Sequence, residues 1–334
     1  MKELIFYIII LTLLILMIPL YLTQGAVDIH LMDVMGEFAR TNSESADWGA
    51  QIFWKVRLPR LVLSLVCGSG LALAGAFVQG IFRNPLVEPG LIGISSGAAL
   101  FASFAIVVME EWINQLFLLQ IFSFLGALFT SILVYFLSRR SGKISVLTLL
   151  LMGIGINAGI GSLMGLMHYL ASDSQLRAIT FWGLGSLSGA SWEVVLVIFP
   201  FVLLLYISIP ILAKGLNAFL LGEKEAFHLG FNTERLKILV LLIVCLAIGA
   251  IVSVTGIIGF IGLVVPHIVR IWGRANHFFL LPASAILGGF LLLLSDFFAR
   301  ILVTPSELPI GILTAGIGAP LFIYILSRRI KEEG

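Results

Sequence analysis

Charge is what this chain has least of. Lysine plus arginine number 20 and aspartate plus glutamate 18 in 334 residues, so 11% of the chain is charged, against about 25% in an average soluble domain. Cysteine is nearly absent. Cys67 and Cys245 both lie inside apolar runs with no metal-ligand spacing, which argues against a disulfide framework and leaves them as buried structural residues. The net charge is +2 and no basic block stands out, so nothing points to a nucleic-acid partner. Catalytic patterns are missing too: there is no H-E-x-x-H, no intramembrane acid pair and no Ser-His-Asp set. A phosphate-binding loop is also lacking, because Gly142-Lys143 is followed by Ile144 and the upstream glycine is absent. The chain is therefore not expected to be an enzyme, or to bind a cofactor or metal of its own.

What is present is hydrocarbon. Sixty per cent of the residues are hydrophobic and the mean hydropathy is +1.11. A soluble globule of this length could not cover such a core with polar surface, so the expected class is an all-α integral membrane protein. A crossing helix needs ~20 apolar residues. Runs without a charge cover 4–27, 61–82, 89–109, 112–138, 144–172, 194–213, 238–269, 275–295 and 308–327. The seventh run is too long for one crossing and contains Thr255-Gly256 and Gly259, natural break points. Splitting it into 237–255 and 256–273 gives ten transmembrane helices. The run 178–192 is too short and too rich in glycine and serine to cross, and reads as a short or re-entrant element beside a cavity.

Ten crossings put both termini on one side. That side holds most of the basic residues, among them Arg139, Arg140, Lys143, Lys224 and Arg328, whereas the other holds Arg40, Lys55, Arg57, Arg60, Arg177 and Arg300. The bias predicts an N-in, C-in chain. It forms one transmembrane domain over 1–334, with an external loop at 25–56 and a cytoplasmic loop at 214–237. Neither loop is large enough to fold as a domain.

Glycine is plentiful, 34 residues, about one in ten against ~7% on average. Small residues recur four apart: Gly68, Ala72 and Ala76; Gly70 and Ala74; Gly155 and Gly159; Gly161 and Gly165. Such faces let helix backbones approach closely. The sharper reading makes Gly155, Asn157 and Gly159 part of a translocation path, with Asn157 adding a polar group in mid-membrane.

Ionisable groups are scarce in the runs, which argues against a proton- or sodium-coupled carrier. His168 and His267 lie near span ends. Asp296 and Arg300, four residues apart on one helix face, read as an ion pair. An active transporter of this composition would draw its energy from another subunit.

Three motifs remain. Arg57-Leu58-Pro59-Arg60 opens the second span, with Pro59 suited to a first helical turn. Its two arginines either anchor the span at the interface or form a docking site for an acidic partner. The segment 82–93, Phe-Arg-Asn-Pro-Leu-Val-Glu-Pro-Gly-Leu-Ile-Gly, has the prolines and glycine of a tight inner turn. The segment 221–230, Leu-Gly-Glu-Lys-Glu-Ala-Phe-His-Leu-Gly, reads as either a solvated loop or a coupling element that fits a groove on a cytosolic partner.

Taken together, Arg57–Arg60, the pattern from Gly75 to Gly90 (G-x-x-x-Q-G-x-x-x-N-P-L-x-x-P-G), and Gly93-Ile94-Ser95-Ser96-Gly97-Ala98 resemble the permease family of ABC importers for iron-siderophores, haem and vitamin B12. Gly259 to His267, Leu281 to Ser284, Glu307 to Gly311 and Gly318-Ala319-Pro320 agree with it, so the likeness runs from about Arg57 to Arg329. The resemblance implies a dimer of permease chains around a central pathway. It implies two cytosolic ATPase subunits, which use ATP and magnesium, and an external or periplasmic binding protein that delivers cargo. It places ATPase contact on Gly222, Glu223, Glu225, Ala226, Leu229 and Gly230, binding-protein docking on Arg57, Arg60 and Arg300, and an inner gate on Asn84 and Leu86. Two other readings stand beside it: an ion-gradient-driven carrier, and the same family carrying an oxyanion such as molybdate.

Overall fold

The computed structural model describes residues 1–25, 48–112, 117–140, 143–273 and 275–333. Most of the expected external loop (26–47), Gly142 of the phosphate-loop test and Arg274 lie outside the described residues. The elements in chain order are α1 (Lys2–Thr23), α2 (Trp48–Ile52), a π-helical turn Phe53–Arg57, α3 (Leu58–Phe82), a 3-10 turn Pro89–Ile92, α4 (Ile94–Val108) and α5 (Leu118–Ser138). After a two-residue antiparallel pairing of β1 (Arg139–Arg140) with β2 (Lys143–Ile144) come α6 (Val146–Leu170), α7 (Asp173–Leu184) and α8 (Trp192–Phe219). They are followed by α9 (Glu223–His228), α10 (Thr233–Thr255), α11 (Ile261–Gly273), α12 (His277–Ile301) and α13 (Ile310–Glu333).

Among the described residues, seven helical segments are long and apolar enough to cross a membrane: α1, the α2–α3 unit, α5, α6, α8, α10 and α12. The apolar helices α4, α11 and the first part of α13 are shorter. Each of the ten segments read from the sequence overlaps one of these helices. The short ones have a physical reason. α4 has 15 residues, about 22 Å at 1.5 Å per residue, because the chain before it does not stop at an inner turn. Pro89 lies beside Leu71 and Gly75 of α3, since a Cβ on Gly262 would stand 3.1 Å from the Leu71 carbonyl oxygen, 3.5 Å from Pro89 Cδ and 3.7 Å from Gly75 Cα. That is about 10–16 Å back along α3 from its end at Phe82. The tight inner turn expected at 82–93 is thus a re-entrant segment, and α4 begins from its tip.

α11 is short for the matching reason. α10 stops at Thr255, where Gly256 takes φ +68°. Any side chain there would also meet the Trp182 carbonyl oxygen, 2.0 Å from a Cβ. An irregular Gly256–Phe260 stretch, ending with Phe260 at φ +68°, then leads into α11. The segment after α7 packs on this break: Ser186 N–H donates to the Thr255 carbonyl, and Ile310 N–H, opening α13, donates to that of Gly185. The short polar element expected at 178–192 is α7's end plus this turn.

α3 is the central helix. Its small residues form the expected close packings: Gly68 against Gly288 of α12, and Gly75 against Gly262 of α11. Lipid gives apolar side chains no drive to associate, so such backbone contact carries the cohesion. α1 is pinned at both ends, by Phe6 and Tyr7 on Phe279 of α12 and by Tyr21 in the cluster described below. The exception is α6, which buries only Leu149, Gly153 and Ile160. Among the described residues, nothing lies within 4 Å of a Cβ on Gly155, Gly159, Gly161 or Gly165, so these small residues are open and form no packing seam there.

Candidate functional site

Three sites emerge, one at each end of the bundle and one between them. The first gathers the outer arginines. Arg60 grips Asp296 through Nε (2.9 Å to Oδ2, 3.2 Å to Oδ1) and Nη2 (2.8 Å to Oδ1), and its Nη1 donates to Glu307 Oε1 at 2.9 Å. Tyr21 O–H donates to Asp296 Oδ2 at 2.5 Å. Arg300 stacks over the Tyr21 ring, 4.0 Å from its centroid, and donates through Nη2 to the Tyr21 carbonyl at 2.9 Å. Arg57 Nη1 donates to the Leu22 carbonyl at 2.6 Å. The expected Asp296–Arg300 pair exists only at 3.8 Å, so Arg60 is the primary partner of Asp296.

These arginines do not project into solvent. Arg57, Arg60 and Arg300 are 4%, 5% and 7% exposed, and Asp296 is fully buried. They meet instead at the wall of a recess of about 150 Å³, which Glu307 and Pro305 also line. Two of the guanidinium groups join α1, α3 and α12.

The second site is the re-entrant segment. Asn84 Oδ1 accepts from Leu86 N–H at 2.9 Å, fixing a local turn, and Leu86 is exposed. The Glu88 carboxylate accepts from the backbone N–H of Phe260, tying the segment to the α10–α11 break. From α6, Asn157 Nδ2 donates to the Gly90 carbonyl at 3.3 Å, and Ser96 Oγ donates to Asn157 Oδ1 at 2.5 Å. A Cβ on Gly153 would lie 2.0 Å from the Leu91 carbonyl oxygen. Successive helix residues are about 100° apart, so Asn157 shares the packed face with Gly153 and Ile160, while Gly155 and Gly159 point the other way. That periodicity separates the three: Asn157 clasps the re-entrant segment, and the two glycines are on the open face.

The third site is α9. Gly222 takes φ +133° to start it and Gly230 φ +88° to leave it. Ala226 is fully buried against the bundle, and the half-exposed Glu223 pairs with Lys237 of α10. Glu225 is exposed, and Phe227 and Leu229 are 65% and 60% exposed. Two large apolar side chains on a six-residue helix at the end of the bundle mark a contact surface.

Lys237, only 1% exposed, underlies α9. Its Nζ donates to the Ile144 carbonyl (2.8 Å) and to Glu223 Oε1 (2.7 Å), and lies 2.5 Å from Glu234 Oε1. Glu234 Oε2 in turn accepts from Ile144 N–H at 3.0 Å. A second inner network joins Arg270 to Gln79 Oε1, whose Nε2 reaches the Leu263 carbonyl at 3.2 Å. Sequence reasoning missed Tyr21 and Lys237, because a tyrosine in an apolar run and a lysine in a charged loop carry no local signal. Glu307 was visible only as part of a motif.

A bundle of long apolar helices with a re-entrant segment is the architecture of a multi-pass membrane protein. The model of the FecCD transport family matches residues 12–328, and the chain belongs to that family. It is 41% identical over 296 residues to the hemin transport system permease protein HmuU of Yersinia pestis, covering 88% of this chain and 87% of that one. It is 37% identical over 290 residues to the vitamin B12 import system permease protein BtuC of Photorhabdus laumondii, covering 86% and 85%. A solved structure described as an inward-facing conformation of a metal-chelate type ABC transporter superposes with a TM-score of 0.81 at 33% identity, covering 96% of this chain and 97% of that one. These relatives are transport permeases, not enzymes.

Proposed function

We propose that the chain forms the translocation pathway of an ATP-driven importer for an iron chelate (siderophore or haem) or vitamin B12. It crosses the cell inner membrane ten times with both termini inside, and pairs with a second copy of itself. The open face of α6 supports that pairing, because a Cβ on Gly155 or Gly159 there would meet nothing within 4 Å among the described residues. Two ATPase subunits bind at α9, and an external binding protein delivers cargo. A carboxylate of that protein fits the outer recess, where Arg57, Arg60 and Arg300 gather beside Glu307. Cargo passes without chemistry, and the Asn84–Leu86 turn gates its exit. No cofactor is bound by this chain; ATP and magnesium belong to the ATPase.

The observation that carries the reading is α9: a short helix fixed from beneath by Ala226 and Lys237, with Phe227 and Leu229 turned outward. Burying two such side chains contributes roughly 1.5–3 kcal/mol each. Gentle extraction of the tagged chain from its native membrane should bring down a P-loop ATPase. The variant Phe227→Glu/Leu229→Glu should lose the ATPase while eluting as a folded protein. Failure of the unaltered chain to retain any ATPase, even after crosslinking at Glu225 or Gly230, sinks the assignment.

A further inference from the structure

From the contacts of Lys237 we infer that this buried lysine is the positioning residue that passes motion of α9 to the re-entrant segment, an inference that rests on the transport reading above. Its ammonium group holds three pieces of chain at once. Glu223 belongs to α9 and Glu234 to the first turn of α10, while Ile144 ends the β1–β2 connection just before α6. Both backbone groups of Ile144 are taken, the carbonyl by Lys237 and the N–H by Glu234. Two residues later α6 begins, capped by Ser145, whose Oγ accepts from Thr148 N–H. α9 and the start of α6 therefore share one ionic clamp rather than two flexible links.

The other end of the linkage is equally definite. α6 reaches the re-entrant segment through the Asn157–Gly90 and Asn157–Ser96 hydrogen bonds and the backbone contact of Gly153 with Leu91. That segment carries Asn84 and Leu86 at its start. Most of the rest of α6 is exposed; beyond its first turn and Gly153–Ile160 it meets α4 at Met164, whose Sδ accepts from Ser103 Oγ at 3.4 Å. A helix so held acts as a rigid lever: displacing α9 toward or away from α10 drags Ile144, and the shift arrives at Gly90–Gly93. Coupling carried by packed side chains and ion pairs needs an unbroken physical chain of this kind.

Charge is the natural material for such a joint. Lys237 faces two carboxylates and one carbonyl in a buried place, so it cannot let go of all three without an uncompensated charge. An apolar contact at the same point would slip.

The test uses the whole complex of this chain with its copurifying ATPase, reconstituted in liposomes, and compares Glu223→Gln, Lys237→Met and Lys237→Arg. Glu223 is half-exposed and its loss leaves Lys237 paired with Glu234, so the first variant tests the clamp without endangering the fold. The expected result in Glu223→Gln and Lys237→Met is that cargo moved per ATP hydrolysed falls about tenfold, inside the roughly 5–150-fold range of coupling between sites. Lys237→Arg should restore most of it. A purely structural lysine would lower uptake and hydrolysis in step, and that outcome, or an unchanged ratio, overturns the inference. A second readout does not depend on transport: amide exchange at Val146–Leu149 should rise in Glu223→Gln. If the unaltered chain binds no ATPase but exchange rises, the functional reading fails and the clamp stands; if exchange does not change, the clamp fails.

Discussion

Asp296→Ala should lower the stability of the chain in detergent by about 3–5 kcal/mol, the cost of leaving buried charge without its partner. Asp296 is fully buried and accepts from Arg60 through two nitrogens and from Tyr21. Its removal leaves Arg60 with Glu307 alone and brings the Arg60 and Arg300 charges together without the carboxylate between them. Thermal unfolding of the purified protein measures the loss. Pairing the change with Arg60→Leu should recover part of it, because an apolar pair carries no desolvation penalty. A loss below about 1 kcal/mol in Asp296→Ala would mean the cluster behaves as a surface pair and the helices α1, α3 and α12 are joined by packing alone. High salt should change little, since burial protects the pair from screening.

This cluster also changes how docking must be tested. Charge reversal at Arg60 would break the joint between α3 and α12 before it said anything about a partner. Glu307 is the better probe: its side chain is 40% exposed at the recess while still reaching Arg60. Glu307→Gln keeps the size of the group and makes the recess more positive. An acidic partner should then dock more tightly, which a binding titration with the isolated binding protein would show.

Helix positions were legible in the sequence because each depends on a local run of apolar residues bounded by charge. The division after Thr255 was legible for the same reason: Gly256 permits a backbone conformation that ends a helix. What could not be read locally was depth. Nothing in 82–93 says that Pro89 returns to lie beside Leu71, because that depends on the room left by Gly75 and Gly262 on two other elements. The contacts of Asn157 and the arginines were hidden for a related reason. Composition marks them as polar groups in or near a membrane, but only their partners decide whether they face a path, a partner protein or the protein's own interior. Lys237 is the extreme case, counted from sequence as a loop charge and found buried under α9.

The second large effect concerns the same residue type in two places. A Cβ on Gly75 would lie 1.9 Å from the Gly262 carbonyl oxygen and 2.7 Å from its Cα. The obstacle is backbone, which no rotamer change relieves, and overpacking of this kind costs about 1–3 kcal/mol or more. Gly75→Ala should therefore destabilise the chain strongly and loosen α3 from α11, moving the Gly262–Pro89 contact on which the re-entrant segment rests. Gly155→Ala should do the opposite. Nothing lies near that site, and replacing a mid-helix glycine by alanine favours the helix by about 0.8–1 kcal/mol. Thermal unfolding of the two variants should thus shift in opposite directions. Uptake separates them further. If the open face of α6 borders the pathway or a second copy, Gly155→Trp should leave the isolated chain folded yet reduce transport or dimerisation. A Gly155→Trp chain that dimerises and transports normally would show that this face meets only lipid, and the pathway would have to be sought on the other side of the re-entrant segment.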